Sequence, residues 1–315
     1  VTAGSGSGAS ARAHAGAGGG TVIVDARMTA PRPVGIGTYV TMLARGLAAI
    51  RDSAGGLPYH VVFLTGEHDS FHGFAVRGVR SPFLGLPELV ELPRAIGSIA
   101  AEASPGTRTV YHSPSFSSLI RCPVPWLVTV HDLIHLRFGN LAQKLYYRRI
   151  VRPFIRRAAV RMTVSEHSRK EIAGWAGVPE SSIEIVLSAI DPDLVVPPAP
   201  TEMHRILNVR GLEADRYFFC LSSPKSHKNV RTLVEAYRAY RRAAATTSSS
   251  PFPFVTNVPG YGTVAGVRYT GTVSRAELPA LLAGATAFFF PSRCEGFGLP
   301  PIEAATAGVP VVLSR

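Results

Sequence analysis

The sequence predicts an α/β protein with two doubly wound parallel-sheet domains, and three features carry that expectation. Short β-branched or aromatic runs alternate with longer amphipathic segments along the chain. These runs are apolar throughout rather than alternating with polar residues, as parallel strands covered by helices on both faces require. The pattern breaks at 191–200, where Pro192, Pro197, Pro198 and Pro200 cluster, and then resumes. Proline fixes φ and removes a backbone donor, so this stretch is expected to continue neither a central strand nor a helix and to mark the domain boundary.

In chain order, residues 1–20 are mostly Gly, Ala and Ser without a continuous apolar segment, and read as a flexible tail rather than a signal peptide. The first domain, 21–194, opens with a strand at 21–25 and a Gly/Pro loop. A helix follows at 38–50, where Val40, Leu43, Leu47 and Ile50 recur at helical spacing. Further strands are expected at 60–64, 108–111, 126–130, 161–164 and 183–187. In the second domain, 195–315, the pattern predicts strands at 217–221, 253–256, 267–270, 287–290 and 309–313, with helices at 229–242, 274–283 and 302–307. Sheets of this kind bind ligands outside the carboxyl ends of their strands, here in a cleft between the two domains.

Composition narrows the class. With 315 residues, 46% hydrophobic and 17% charged, the chain has enough apolar surface for two cores and is not of disordered type. The net charge of +12 favours anionic partners in general. Cys122, Cys220 and Cys294 are an odd, scattered set without metal or redox spacing, which points to a reducing, cytoplasmic setting and away from a disulfide framework. The longest apolar run, 280–290, is too short to span a bilayer. No His/Asp/Glu cluster has ligand spacing, so no metal is expected.

The most informative stretch is PSRCEGFGLPPIEAATAGVPVV, 291–312. It follows an aromatic strand and precedes a helix, so its turn lies at the carboxyl edge of the sheet. Gly296 and Gly298 permit close backbone approach, and Pro300 and Pro301 suit a first helical turn. Amides opening that turn, from Gly298 onward, form an anion site that suits a diphosphate. Glu295 and Glu303 repel phosphate but accept hydrogen bonds from hydroxyls, Glu295 from a sugar ring and Glu303, placed in the first helical turn, from a ribose. On these residues alone, ordinary strand–turn–helix capping chemistry explains the pattern equally well. Lys228, just before a helix, can neutralise a leaving diphosphate, although two ordinary surface lysines at 225 and 228 would look the same. His131 ends the strand at 126–130, and a histidine there is more often structural than catalytic.

The spacing of Glu295 and Glu303 matches the Glu-x7-Glu pattern of family 4 retaining glycosyltransferases, also called glycosyltransferase group 1, and the intervening GFGLPPI is similar almost residue for residue. SSPKSHKN (222–229) resembles that family's phosphate-binding loop. VSEHSRKEI (164–172), IDPD (190–193), HDLIH (131–135) and GIGTY (35–39) resemble family segments in the family's order. The resemblance implies a GT-B fold, two Rossmann-like domains facing a cleft, from about residue 21 onward. It also implies His131, Lys228 and Glu295 as catalytic residues. The donor would be held by Gly35, Gly37, Ser222, Lys225, Lys228, Gly296, Phe297, Gly298, Leu299 and Glu303. Ser222 stands where the family usually has arginine, and Lys225 is the substitute expected for it. Reaction would proceed on one face of the sugar through an oxocarbenium-like state without a metal, and the only co-substrate would be a GDP- or UDP-sugar. Relatives continue beyond the strand at 309–313 and carry a helix between 260 and 267, so the second domain reads as truncated.

The implied function is transfer of a mannose-like or glucose-like hexose to a glycan or lipid-linked acceptor in cell-surface polysaccharide synthesis. The alternative is a non-catalytic relative that binds polyanion or a membrane surface; nucleic acid is not expected as a partner. Between 144 and 161 stand Lys144, Arg148, Arg149, Arg152, Arg156, Arg157 and Arg161 with no acidic residue. Tyr147, Ile150, Val151, Phe154, Ile155 and Ala158 form the apolar face of this helix, which Pro153 should kink. Two readings stay open: a core-facing helix with a solvated basic side, or a dock for anionic lipid on the inner face of the plasma membrane.

Overall fold

Two parallel sheets organise the chain. The computed structural model describes residues 19–29, 35–66, 71–81, 85, 87–247 and 250–314, so 1–18 of the expected tail lie outside the described residues. The larger sheet contains β1 (Thr21–Asp25), β2 (His60–Thr65), β3 (Ala75–Gly78), β4 (Thr109–Ser113), β5 (Trp126–Val130), β6 (Val160–Thr163) and β7 (Ile183–Ile185), in the order β3-β2-β1-β4-β5-β6-β7. The smaller sheet contains β8 (Phe218–Cys220), β9 (Phe254–Thr256), β10 (Val267–Tyr269), β11 (Ala287–Phe290) and β12 (Val311–Leu313), in the order β10-β9-β8-β11-β12. β1 pairs in parallel with β2 and β4, and β8 with β9 and β11. Each sheet therefore reverses its strand order at one point, between β1 and β4 in the first and between β8 and β11 in the second. The loops leaving those neighbouring strands meet there, and this is where a doubly wound sheet receives ligand.

By compactness the chain divides into 1–129 with 157–161, and 130–156 with 162–315. In the first unit, the apolar face of α1 (Ile36–Ala54) covers the sheet through Tyr39, Val40 and Ala44 against Val24, Val61 and Phe63. In the second, Tyr217, Phe219, Val255, Leu281 and Phe288 form one core, and Val230, Val234 and Tyr237 pack with Phe254 in another.

The expected strands fall within a few residues of their places, but the edge strand β3 (Ala75–Gly78) was not expected, and the proline-rich segments differ. α2 (Glu88–Glu102) was not expected; it carries Pro93 inside it, and Leu92, Ile96 and Ile99 are buried at helical spacing. After α3 (Ile134–Phe138), the basic segment is α4 (Leu141–Tyr146), a π-helical turn at Tyr147–Val151 and α5 (Arg152–Arg157). The kink expected at Pro153 takes the form of this π turn, in which the Arg152 amide bonds back to the Tyr147 carbonyl. α6 (Glu166–Ala176) follows β6. The expectation that 191–200 forms no helix fails: Pro192 opens α7 (Pro192–Val195) and Pro200 opens α8 (Pro200–Val209). Proline lacks only a donor that the first helical position leaves unpaired anyway, so it starts helices that it could not continue. The remaining helices are α9 (Val230–Thr246), α10 (Leu278–Ala283) and α11 (Leu299–Thr306). Among the described residues, no helix is long and apolar enough to cross a membrane.

Candidate functional site

Because β8 and β11 are neighbours, the loops after them, 221–229 and 291–298, face each other at the reversal point of the smaller sheet. The first of these loops ends in a short 3-10 turn, Ser226–Lys228, closed by Asn229 in the left-handed region at φ 54. That turn aims Lys228 across the gap. Its Nζ donates to Glu295 Oε1 at 2.6 Å and lies 5.6 Å from the centre of the Phe290 ring. Both side chains of the pair are about one-fifth exposed, at 19% and 23%, so the attraction is only partly screened. Two of the expected catalytic residues are thus in direct contact.

The glycine turn then enters α11. Gly298 is the N-cap at φ 85, a conformation open to glycine at little cost. Helical geometry begins at Leu299, three residues before the expected start, because the fixed φ of Pro300 and Pro301 already suits it. Two expectations change as a result. Glu303 sits in the second turn rather than the first, and the two prolines remove two of the four amides that a helix start normally offers. The donors left at this end come from Gly298 and Leu299. Glu303 is 8% exposed, and burial raises its carboxyl above the ordinary value of 4.5 while the charge of Arg275 works in the opposite direction. Phe297 and Leu299 are half-buried.

Gly296 was expected to let backbone approach a ligand, but the approach here is to the chain itself. A Cβ at this position would lie 2.4 Å from the His131 carbonyl oxygen, so only glycine fits. His131, at the end of β5, is half-buried. The Gly296 carbonyl accepts from the Ser165 hydroxyl at 2.7 Å and lies 3.3 Å from that of Ser168, which also donates to the His131 carbonyl at 2.9 Å. The loop after β8 is held differently. The Asn257 side chain accepts from the Ser222 amide at 2.8 Å and donates to the Ser222 carbonyl at 2.9 Å. Lys225 is exposed. The His227 ring lies 5.4 Å from that of Phe138, and burial lowers its pKa, with Lys228 adding to the effect.

Gly35 and Gly37 belong to the other compact unit, where Gly35 caps α1 at φ 56 and Gly37 is buried in its first turn. Sequence reasoning assigned no role to Asn257, a lone asparagine after a strand that carries no signal, nor to Ser165 and Ser168 beyond their place in VSEHSRKEI. The only trace of the latter pair was a serine preceding a helical pattern. Among the described residues, no group of three or more His, Cys, Asp or Glu side chains could hold a metal ion.

Comparison with known proteins settles the family. The profile described as Glycosyltransferase Family 4 matches residues 33–194. The chain belongs to glycosyltransferase family 4. A second profile, Glycosyl transferases group 1, matches 257–315 of this family 4 chain. It is 30% identical over 224 residues, 65% of its length, to the O-antigen chain mannosyltransferase B of Escherichia coli, and 23% identical over 193 residues to the O-antigen chain mannosyltransferase RfbU of Salmonella typhimurium. These matches cover 57% and 51% of those two proteins, so the chain spans about half the length of the curated relatives it matches. Among solved structures, Anabaena HepE in complex with UDP and glucose superposes with a TM-score of 0.63 at 14% identity, covering 94% of this chain and 80% of that one. WaaG, a glycosyltransferase involved in lipopolysaccharide biosynthesis, gives 0.61 at 16% identity, covering 93% and 80%. At such identities the likeness concerns the fold, which is GT-B: two parallel-sheet α/β domains of seven and five strands.

Proposed function

We propose that this family 4 chain is a retaining hexosyltransferase. It moves a mannose-like or glucose-like sugar from a GDP- or UDP-sugar to a glycan or lipid-linked acceptor in cell-surface polysaccharide synthesis, without a metal. The observation that carries this reading is the contact of Lys228 with Glu295 at the reversal point of the smaller sheet, beside a glycine-capped helix start and in the same short segment as Glu303. When the glycosyl bond breaks, negative charge develops on the departing diphosphate. An ammonium and two amides at that end of the site stabilise that charge once the donor has displaced Glu295 from Lys228. Glu295 accepts from sugar hydroxyls, Glu303 from the ribose, and His131, whose carbonyl packs against Gly296, serves the sugar. Donor binding then exchanges one partner of Lys228, the Glu295 carboxylate, for phosphate. The relatives named as O-antigen mannosyltransferases support this substrate class.

The test is thermal unfolding with UDP-, GDP-, ADP- and dTDP-sugars. A nucleotide at a hundred times its Kd stabilises by about 2.7 kcal/mol, a shift of several degrees. One base should produce it, and Glu303→Ala should remove it. Indifference to all four donors would overturn the reading in favour of the non-catalytic polyanion binder.

A second reading concerns location. Leu141 and Leu145 are 83% and 54% exposed on α4, and Arg148 and Arg149 beyond them are exposed as well. A stripe that pairs bare leucines with arginines suits an anionic bilayer surface, where an acceptor carried on lipid would be found.

A further inference from the structure

Ser165 precedes α6 and at first looks like a plain N-cap, because its Oγ accepts the Ser168 amide at 3.1 Å. Capping uses only an acceptor lone pair, however. The hydroxyl still has a proton to give, and that proton goes to the Gly296 carbonyl at 2.7 Å. Ser168, 1% exposed in the first turn of the same helix, gives its own proton to the His131 carbonyl at 2.9 Å. Between these two carbonyls there is no room for a side chain: a Cβ on Gly296 would meet the His131 oxygen at 2.4 Å and Asp132 Cβ at 3.3 Å. Two hydroxyls and one glycine thus fasten the end of β5 to the turn after β11, in one compact unit.

We propose that Ser165 and Ser168 are positioning residues for glycosyl transfer: they fix the backbone of Glu295–Gly296 in register with that of His131. The inference rests on the proposed function, since it takes Glu295 and His131 to serve the sugar. It goes beyond that reading in giving α6 a task separate from donor binding. The phosphate donors of Gly298 and Leu299 and the ammonium of Lys228 lie outside the clasp, so loosening it should disturb the reacting geometry more than nucleotide affinity. Positioning errors of about 1 Å cost on the order of a hundredfold in rate.

Substitution can separate the clasp from ordinary capping. Ser165→Asp keeps a capping acceptor but has no proton for the Gly296 carbonyl, Ser165→Thr keeps both functions, and Ser168→Ala removes the donor to the His131 carbonyl together with its longer contact to the Gly296 carbonyl. Steady-state transfer, nucleotide Kd, melting temperature and amide hydrogen exchange of 292–299 are measured for all three and for the parent. We expect Ser165→Asp and Ser168→Ala to lower kcat by about ten- to a hundredfold with nucleotide Kd unchanged, and Ser165→Thr to match the parent. Exchange of 292–299 should rise in Ser165→Asp while β11 stays protected. Full kcat in both variants, a loss in Ser165→Thr equal to that in Ser165→Asp, or a rise of Kd with a fall of melting temperature in step with the loss of kcat would overturn the proposal. A parent that binds no nucleotide refutes the functional reading instead, and the exchange measurement then still decides whether the clasp holds the turn.

Discussion

Glu303 carries the clearest pH signature in the site. At 8% exposure its carboxylate is desolvated, which raises its pKa above 4.5, and Arg275 only partly offsets this. In the proposed role of Glu303, ribose hydroxyls would donate to the ionised form, so nucleotide binding would favour the carboxylate. The sign follows: affinity is fully present above the raised pKa and is lost as pH falls through it, beginning at a pH higher than an ordinary glutamate would give. Titration calorimetry with the matching nucleoside diphosphate should show Kd weakening from a pH above that at which an ordinary glutamate protonates, and Glu303→Gln should be weak and flat over the same interval. A parent with constant Kd across that interval would remove Glu303 from the binding site. The Glu-x7-Glu spacing of the two glutamates was visible in the sequence because it lies in one local segment. The pairing of Lys228 with Glu295 was not, since 67 residues separate them and only the β8–β11 adjacency brings them together. The depth of Glu303 was hidden as well, because the prolines start α11 earlier than apolar spacing suggests.

Secondary-structure elements meet in the same way at the reversal point of the larger sheet. Arg27, just past β1, reaches Asp25 through Nη2 at 2.7 Å and Nε at 2.9 Å, Glu88 of α2 at 2.9 Å, and Ser117 after β4 at 3.1 Å. These side chains are 2–4% exposed where they form ion pairs. Burial opposes the charge on Arg27, but the carboxylates of Asp25 and Glu88 outweigh it and hold the guanidinium protonated. Removing the arginine leaves two buried acids without their common partner, a change that typically costs about 3–5 kcal/mol. Arg27→Met should therefore lower the unfolding free energy of the first compact unit by that amount, read as a lower urea midpoint, with nucleotide-induced stabilisation of the second unit retained. An unchanged midpoint would mean that water replaces the network. Apolar runs placed most strands from sequence alone, since both faces of a parallel sheet are covered and the runs stand out. What escaped was the short edge strand β3, α2 around Pro93, and α7 and α8 behind Pro192 and Pro200. At 191–200 proline was taken as a barrier, whereas its effect depends on whether the missing amide had a partner to lose.

At the scale of the whole molecule, the net charge of +12 is unevenly spread, with seven basic residues between 144 and 161. The structure divides this segment by exposure. Tyr147, Val151, Phe154 and Ile155 are buried at 3%, 1%, 0% and 0% and anchor it to the protein, so the apolar face read from the sequence is spent on the core. The half-buried Arg152 is also occupied, its Nε donating to the Ala176 carbonyl. Arg156 and Arg157 are exposed too, but Leu141 and Leu145 stand beside Arg148 and Arg149, and an interfacial dock requires that combination: a few apolar side chains to enter the headgroup layer and cations beside them to meet anionic lipid. Each such cation contributes roughly 1 kcal/mol near an anionic bilayer, and the attraction is screened beyond about 8 Å at physiological salt. Binding should therefore be strong to phosphatidylglycerol-containing vesicles at low salt, weaker at high salt, and weak to phosphatidylcholine alone. Charge reversal in Arg148→Glu with Arg149→Glu should abolish the difference between the two lipids. Leu141→Ser with Leu145→Ser should instead speed release from anionic vesicles while leaving the salt dependence in place, because charge brings the surface to the membrane and the leucines hold it there. Equal flotation with both lipids, or no response to the arginine reversal, would leave the basic stripe as a solvated helix face.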